Sequence, residues 1–164
     1  MANDDLRTKH AAIVRAYEEN IESFDLFHKN VRNFFESRSL ARHVHSIRHR
    51  LKDLDHLLAK IERKNSEDAL LAPDGQKGPI TVENIFTRIT DLAGVRVLHL
   101  HISQFEHIHQ ALMAKIGEGE FTLFEDPKVY TWDPESNEYF GNFGLQRELK
   151  DSYYTSIHYV LRPN

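Results

Sequence analysis

A chain of 164 residues is the size of one domain with a single core, and its 21 basic and 25 acidic residues leave it mildly acidic. Bulk charge therefore gives no push toward duplex DNA or a membrane surface, and the lack of cysteine excludes disulfides, thiolate nucleophiles and cysteine zinc sites. No apolar run approaches the roughly 18 to 20 residues of a membrane span and the N-terminus has no signal-peptide core, so a soluble cytoplasmic protein is expected.

In residues 4–35, Ile13, Tyr17, Ile21, Phe24, Phe27, Val31, Phe34 and Phe35 recur at three- and four-residue steps without proline or glycine. This predicts one long helix, or two joined near residues 22–25. Residues 42–64 place Val44, Ile47, Leu51, Leu54, Leu57, Leu58 and Ile61 at helical steps, predicting a second helix with seven basic residues against three acidic ones. Its basic side chains leave the faces that are not buried, so several can converge on one polyanion. A solvated amphipathic helix is the plainer reading, and the imbalance of sign tilts against it. Residues 66–78 are rich in turn formers and read as a loop. Residues 81–89 restart a helix, with Thr81 as its N-cap.

Asp91 then stands where that helix gives way to a strand over residues 95–102, entered through Gly94. A carboxylate there can hold a metal or merely end the helix. Residues 105–116 read as an amphipathic helix closed by Gly117 and Gly119, and residues 121–124 and 128–132 as short strands. The polar, aromatic stretch 133–147 reads as a long loop, of a length that usually serves a site or is mobile. An alternating strand covers 156–162. The order predicts an α/β or α+β domain with a small mixed β-sheet flanked by helices. Residues 1–38 form a helical N-terminal extension and 39–164 the core of one domain.

Eleven histidines invite a metal site. His99 and His101 would alternate on one face of the strand, and His107 and His109 lie on the next helix, but neither pair has a third ligand nearby. No nucleophile elbow, P-loop or dinucleotide glycine fingerprint is present. The remaining features are a basic segment, Asp91, and an aromatic polar segment before the last strand. Together they suit nucleoside polyphosphates: basic groups neutralise phosphates, a carboxylate holds magnesium, and a tyrosine face stacks on a base.

Ser46-Ile47-Arg48-His49-Arg50-Leu51-Lys52-Asp53, followed by Leu57, Lys60, Arg63 and Lys64, resembles the ATP-binding segment of RelA/SpoT-type alarmone synthetases. Thr90-Asp91-Leu92-Ala93-Gly94-Val95-Arg96-Val97 resembles their magnesium-aspartate motif. Lys150-Asp151-Ser152-Tyr153-Tyr154-Thr155-Ser156-Ile157-His158-Tyr159 resembles their acceptor-nucleotide motif, most like the small single-domain synthetases, some of them toxins. The resemblance covers roughly residues 40 to 162 in family order.

It implies a nucleotidyltransferase-like fold and a GTP pyrophosphokinase activity of the stringent response, moving pyrophosphate from ATP to a 3′-hydroxyl. Ser46, Arg48, Arg50, Lys52, Lys60, Arg63, Lys64 and Arg96 would contact ATP. Asp91 would be catalytic and bind Mg2+. Lys150, Ser152, Tyr154 and His158 would bind the acceptor, which is GTP, GDP, an adenine nucleotide or the 3′ end of tRNA. An antitoxin protein and a homo-oligomer are allowed as partners; a membrane and duplex DNA are not expected.

Two departures accompany the resemblance. The family has glycine before the stacking tyrosine, where this chain has Tyr153, which would be strained or obstructive if the position needs positive φ or close approach. The family's second catalytic acid lies in a Glu-x-Gln-x-Arg-Thr strand after the acceptor motif, and the sequence ends at Asn164 before any such strand. A fragment with an unpaired sheet edge, or a degenerate, non-catalytic nucleotide-sensing or partner-binding module, is the alternative expectation.

Overall fold

The N-terminal helical pattern breaks once, at His10, and not near residues 22–25. In the computed structural model, which describes residues 2–164, α1 (Ala2–Lys9) is followed by α2 (Ala11–Phe35). Ion pairs hold α1 to the later helix α3 (Leu54–Ala69): Arg7 to Asp55 at 2.8 Å, Lys9 to Glu62 at 2.7 Å, and the His10 ring to Glu62 at 2.6 Å. The chain forms two compact units, Met1–Phe105 and Glu106–Asn164.

The predicted helix over 42–64 is in fact a strand and a helix. β1 (Ser46–Leu51) pairs antiparallel with β2 (Ala93–Leu98) in the register Ser46↔Leu98 through Leu51↔Ala93. Ile47 and Leu51 fit a helical stripe as well as a pleat, and the partner strand decides between them. Asp53 then starts α3 as its N-cap, its carboxylate accepting from the His56 N–H at 3.0 Å. The Tyr17 hydroxyl donates to the Lys52 carbonyl and ties α2 to this junction. α3 continues to Ala69, into the stretch expected to be loop.

The helix expected over 81–89 is a single turn, α4 (Ile85–Arg88), with Asn84 rather than Thr81 at its N-cap. Asn84 Oδ1 turns back to accept the Thr81 N–H at 2.9 Å. β2 stops at Leu98, so His99 and His101 share no strand face. Gln104 Oε1 accepts the Leu100 and His101 N–H groups at 2.9 and 2.8 Å and fixes a turn there, with His99 Nδ1 2.9 Å from the His101 carbonyl. The core of this unit joins Ile13 and Tyr17 of α2 to Leu57, Leu58 and Ile61 of α3, with Ile80, Ile85, Ile89 and Leu92. Each large apolar side chain buried there contributes about 1.5–3 kcal/mol. Ile85, Ile89 and Leu92 thereby anchor the segment that carries Asp91.

α5 (Ser103–Gly117) runs across the division between the units and ends before Gly119, whose φ of +79° suits glycine. In the second unit, β4 (Lys128–Thr131) is central to a mixed sheet, parallel to β5 (Gln146–Leu149) and antiparallel to β6 (Ser156–His158). The strand expected over 156–162 is interrupted: β7 (Leu161–Arg162) pairs instead with β3 (Thr122–Leu123). The supposed loop 133–147 holds α6 (Pro134–Gly141), with Pro134 in its first turn and Asp133 as N-cap, accepting from the Ser136 N–H at 2.9 Å. Buried Val129, Phe140 and Leu145 pin these elements. The class is α+β, and no helix among the described residues is long and apolar enough to cross a membrane.

Candidate functional site

Two basic side chains converge on Asp91. Its Oδ2 accepts from Lys52 Nζ at 2.9 Å, and Lys60 Nζ lies 2.7 Å from Oδ1 as an ion pair. The three come from different places: Lys52 follows β1, Lys60 is on the second turn of α3, and Asp91 precedes β2. An antiparallel pair followed by a capped helix brings them together. They border an open cleft of about 620 Å³, lined by Arg50, Lys52, Asp53, His56, Lys60, Arg63 and Asp91 among others. Burial pushes the Asp91 carboxyl up, but the Lys60 and Lys52 ammonium groups outweigh it and hold the group below the usual carboxylate range. Asp53, the cleft's other carboxylate, is taken up as the α3 cap.

One face of the β1–β2 pair adjoins the cleft at Arg50. Alternation puts Ser46, Arg48 and Arg50 on that face, opposite Leu98, Arg96 and Gly94. Arg48 and Arg96 are thus direct cross-strand partners, an arrangement that costs energy for like charges. All three arginines are exposed, and none has a carboxylate partner among the described residues. Arg50 lies over Gly94, where an added Cβ would stand 4.0 Å from the arginine Cγ. Arg63 lines the cleft while paired with Glu67 at 2.7 Å.

Lys64 is placed differently from the other expected ATP contacts. Its ammonium donates to the Arg88 carbonyl at 3.0 Å, and burial, then Lys60 and Arg88, hold its pKa below the ordinary lysine value. Arg88 in turn donates to the Lys77 and Gly78 carbonyls at 3.1 and 3.0 Å and sits 3.7 Å from Asp68. Arg88 and Asp68 escape sequence reading because neither belongs to a recognisable pattern; together they fasten the chain three residues before Asp91.

For a cation, the donor chemistry is simple. Asp91 Oδ1 is buried against the Lys60 ammonium at 2.7 Å, so a cation bound by this carboxylate would take the place of that ion pair. No group of three histidine or carboxylate donors that could cage a metal occurs among the described residues. A single carboxylate at an open cleft is a donor that Mg2+, which takes one or two carboxylates with waters and substrate phosphates, would accept.

The expected acceptor residues lie in the second unit. Lys150 pairs with Glu148 and holds its ammonium 4.8 Å above the centre of the Tyr130 ring. The His158 ring meets Tyr130 edge-on at 4.9 Å, with Nε2 3.0 Å from Ser156 Oγ. Tyr130, missed from the sequence, therefore connects the two; its alternation with buried Val129 was the available signal. Ser152 and Tyr154 share a turn in which the Tyr154 N–H donates to the Ser152 carbonyl at 2.6 Å, and Tyr154 is half-exposed. Tyr153 is not strained: no non-glycine residue among those described has positive φ, and its side chain points into solvent.

Compared with known proteins, residues 49–164 match a family described as a region found in RelA / SpoT proteins. No curated protein and no solved structure matches the chain.

Proposed function

This chain belongs to the RelA/SpoT family, and on that footing we propose that it transfers pyrophosphate from ATP to the 3′-hydroxyl of a guanine or adenine nucleotide, or of a tRNA 3′ end. Its α+β fold is of the nucleotidyltransferase-like kind, and enzymes of the family are divalent-metal dependent. The observation that carries the proposal is the cation-crowded cleft in which Lys52 and Lys60 meet Asp91 and Arg50 and Arg63 line the same walls.

In this reading the acceptor oxygen bonds to the β-phosphorus of ATP, the bond from that phosphorus to the α–β bridging oxygen breaks, and AMP leaves. The hydroxyl proton is lost on the way. Lys52 and Lys60 bind the triphosphate, and the Arg48, Arg50 and Arg96 face receives the rest of the nucleotide with Ser46 at its margin. Arg63 and Lys64 complete the ATP side, Lys64 once its ammonium leaves the Arg88 carbonyl. Mg2+ held by Asp91 and phosphate oxygens would stabilise charge building on the transferred group. Tyr154 stacks on the acceptor base, with Lys150, Ser152 and His158 toward its phosphates and ribose. Residues 39–164 act as one synthetase-like core with 1–38 as its helical extension.

The ion pairing of Asp91 with two lysines favours a second reading, a nucleotide-binding module without turnover. Labelled ATP, magnesium and GTP, GDP or tRNA separate the two. The enzyme gives labelled product that falls by roughly 10²–10³-fold in Asp91→Ala. Nucleotide binding without product supports the module, and no binding at all sinks both.

A further inference from the structure

Thr131 ends β4 with no exposed surface. Valine would fill that volume, as Val129 does two residues earlier, without taking a hydroxyl out of water. The hydroxyl therefore has a task, and its two partners show which. It accepts the Asp133 N–H at 3.2 Å, just ahead of α6, and lies 2.9 Å from the Thr155 hydroxyl. With Asp133 as its donor, the Thr131 O–H remains available to donate to Thr155. The Thr131 carbonyl, in turn, accepts the Lys150 N–H at 2.8 Å.

Residues 150–155 thus leave the sheet from one group of Thr131 and return to it at another. Between those ends no side chain of the segment is buried. The Tyr154 N–H donates to the Ser152 carbonyl at 2.6 Å, and the Tyr153 ring rests edge-on against Trp132, the neighbour of Thr131. A segment that no core fixes samples many conformations, and a ligand binds only the fraction that presents its contacts correctly. We infer that Thr131 is a positioning residue of the acceptor site: its hydroxyl and carbonyl clamp both ends of residues 150–155 and hold Ser152 and Tyr154 in the binding arrangement. This rests on reading Tyr154 as the residue that stacks the acceptor base. Every member of the clamp belongs to the unit Glu106–Asn164, whereas the ATP residues belong to Met1–Phe105, so its loss is felt by the acceptor and not by ATP.

The full chain is titrated calorimetrically with ATP and, separately, with GDP and bulk tRNA as acceptor probes. Thr131→Val and Thr155→Val should each weaken the acceptor probe that binds by roughly three- to tenfold, as the loss of one net hydrogen bond implies. ATP affinity should not change. Thr131→Ser keeps the hydroxyl and should bind like the parent. The double valine variant should be no weaker than either single one, since both remove the same bond. Thr155 is exposed, so its variant keeps the test valid even if Thr131→Val folds poorly. Unaltered acceptor affinity in Thr155→Val, equal losses for ATP and acceptor, or a serine variant as weak as the valine one overturns the inference and leaves Thr131 a core residue only. A parent chain that binds neither acceptor probe, or binding indifferent to Tyr154→Ala, is a distinct result: it removes the acceptor reading itself, and the clamp with it.

Discussion

At the scale of single residues, the proposed chemistry hinges on how Asp91 divides its attention. Its two oxygens face Nζ groups of Lys52 and Lys60 at 2.9 and 2.7 Å, so without ligand the carboxylate neutralises cations that ATP would otherwise use. Asp91→Asn keeps the shape and removes the charge. In chelator, ATP should therefore bind Asp91→Asn about two- to fivefold more tightly than the parent chain, the range expected from releasing partly exposed ion pairs. With excess Mg2+ the order should reverse, because the variant cannot hold the cation. Calorimetric titration with and without EDTA reads both, and an Asp91→Asn chain weaker under both conditions would mean that Asp91 serves mainly to place the lysines. Asp91 stood out in the sequence as an acid between helix and strand. Its lysine partners did not, because Lys52 and Lys60 lie 39 and 31 positions away and only the β1–β2 pairing with the capped α3 after it closes that distance.

At the scale of elements, one carboxylate decides where a strand ends and a helix begins. Asp53 caps α3, and the adjoining Lys52 carbonyl accepts the Tyr17 hydroxyl. Asp53→Ala should cost about 1 kcal/mol. In a domain of this size that lowers Tm by roughly 2–4 °C. Asp53→Asn, an equally good cap, should stay near the parent by thermal denaturation; equal losses in both would assign the effect to charge rather than capping. The α2 and α5 stripes were readable because each is a long, uninterrupted period. β1 was not, since Ile47 and Leu51 continue the period of Leu54, Leu57, Leu58 and Ile61, and only its ladder with β2 makes it extended. α6 carried its own start signal in Asp133-Pro134, hidden by the polar residues that follow.

For the whole molecule, acid is the telling stress. His28 on α2 is buried with neither ring nitrogen hydrogen-bonded, its ring 4.9 Å from that of His49 on β1. Asp25 lies 3.8 Å away and favours the charged form; burial, then His49, and more weakly Arg32 oppose it, and the balance holds His28 below its ordinary 6.5. The unfolded chain then binds more protons than the folded one below about pH 6.5, so stability is fully present above that value and drains away as pH falls through it. Urea unfolding at about pH 7.5 and about pH 5.5 should show the loss, and His28→Leu should blunt it. An unchanged pH slope in that variant would clear His28 of the effect. The general α+β class and the family were legible from pattern and motif. The division into two units was not, because it depends on which apolar faces meet and leaves no mark in local periodicity.

The pleat of β1 also sets a kind of reading frame. Arg48 and Arg50 project on one side while Ile47, His49 and Leu51 project on the other, toward α2, with Arg96 and Val95 and Val97 obeying the same parity on β2. Loss or gain of a single codon within either strand would swap the two sets, burying arginines and wetting valines. Length variation in relatives should accordingly fall in residues 70–79, between helices, and spare these two strands.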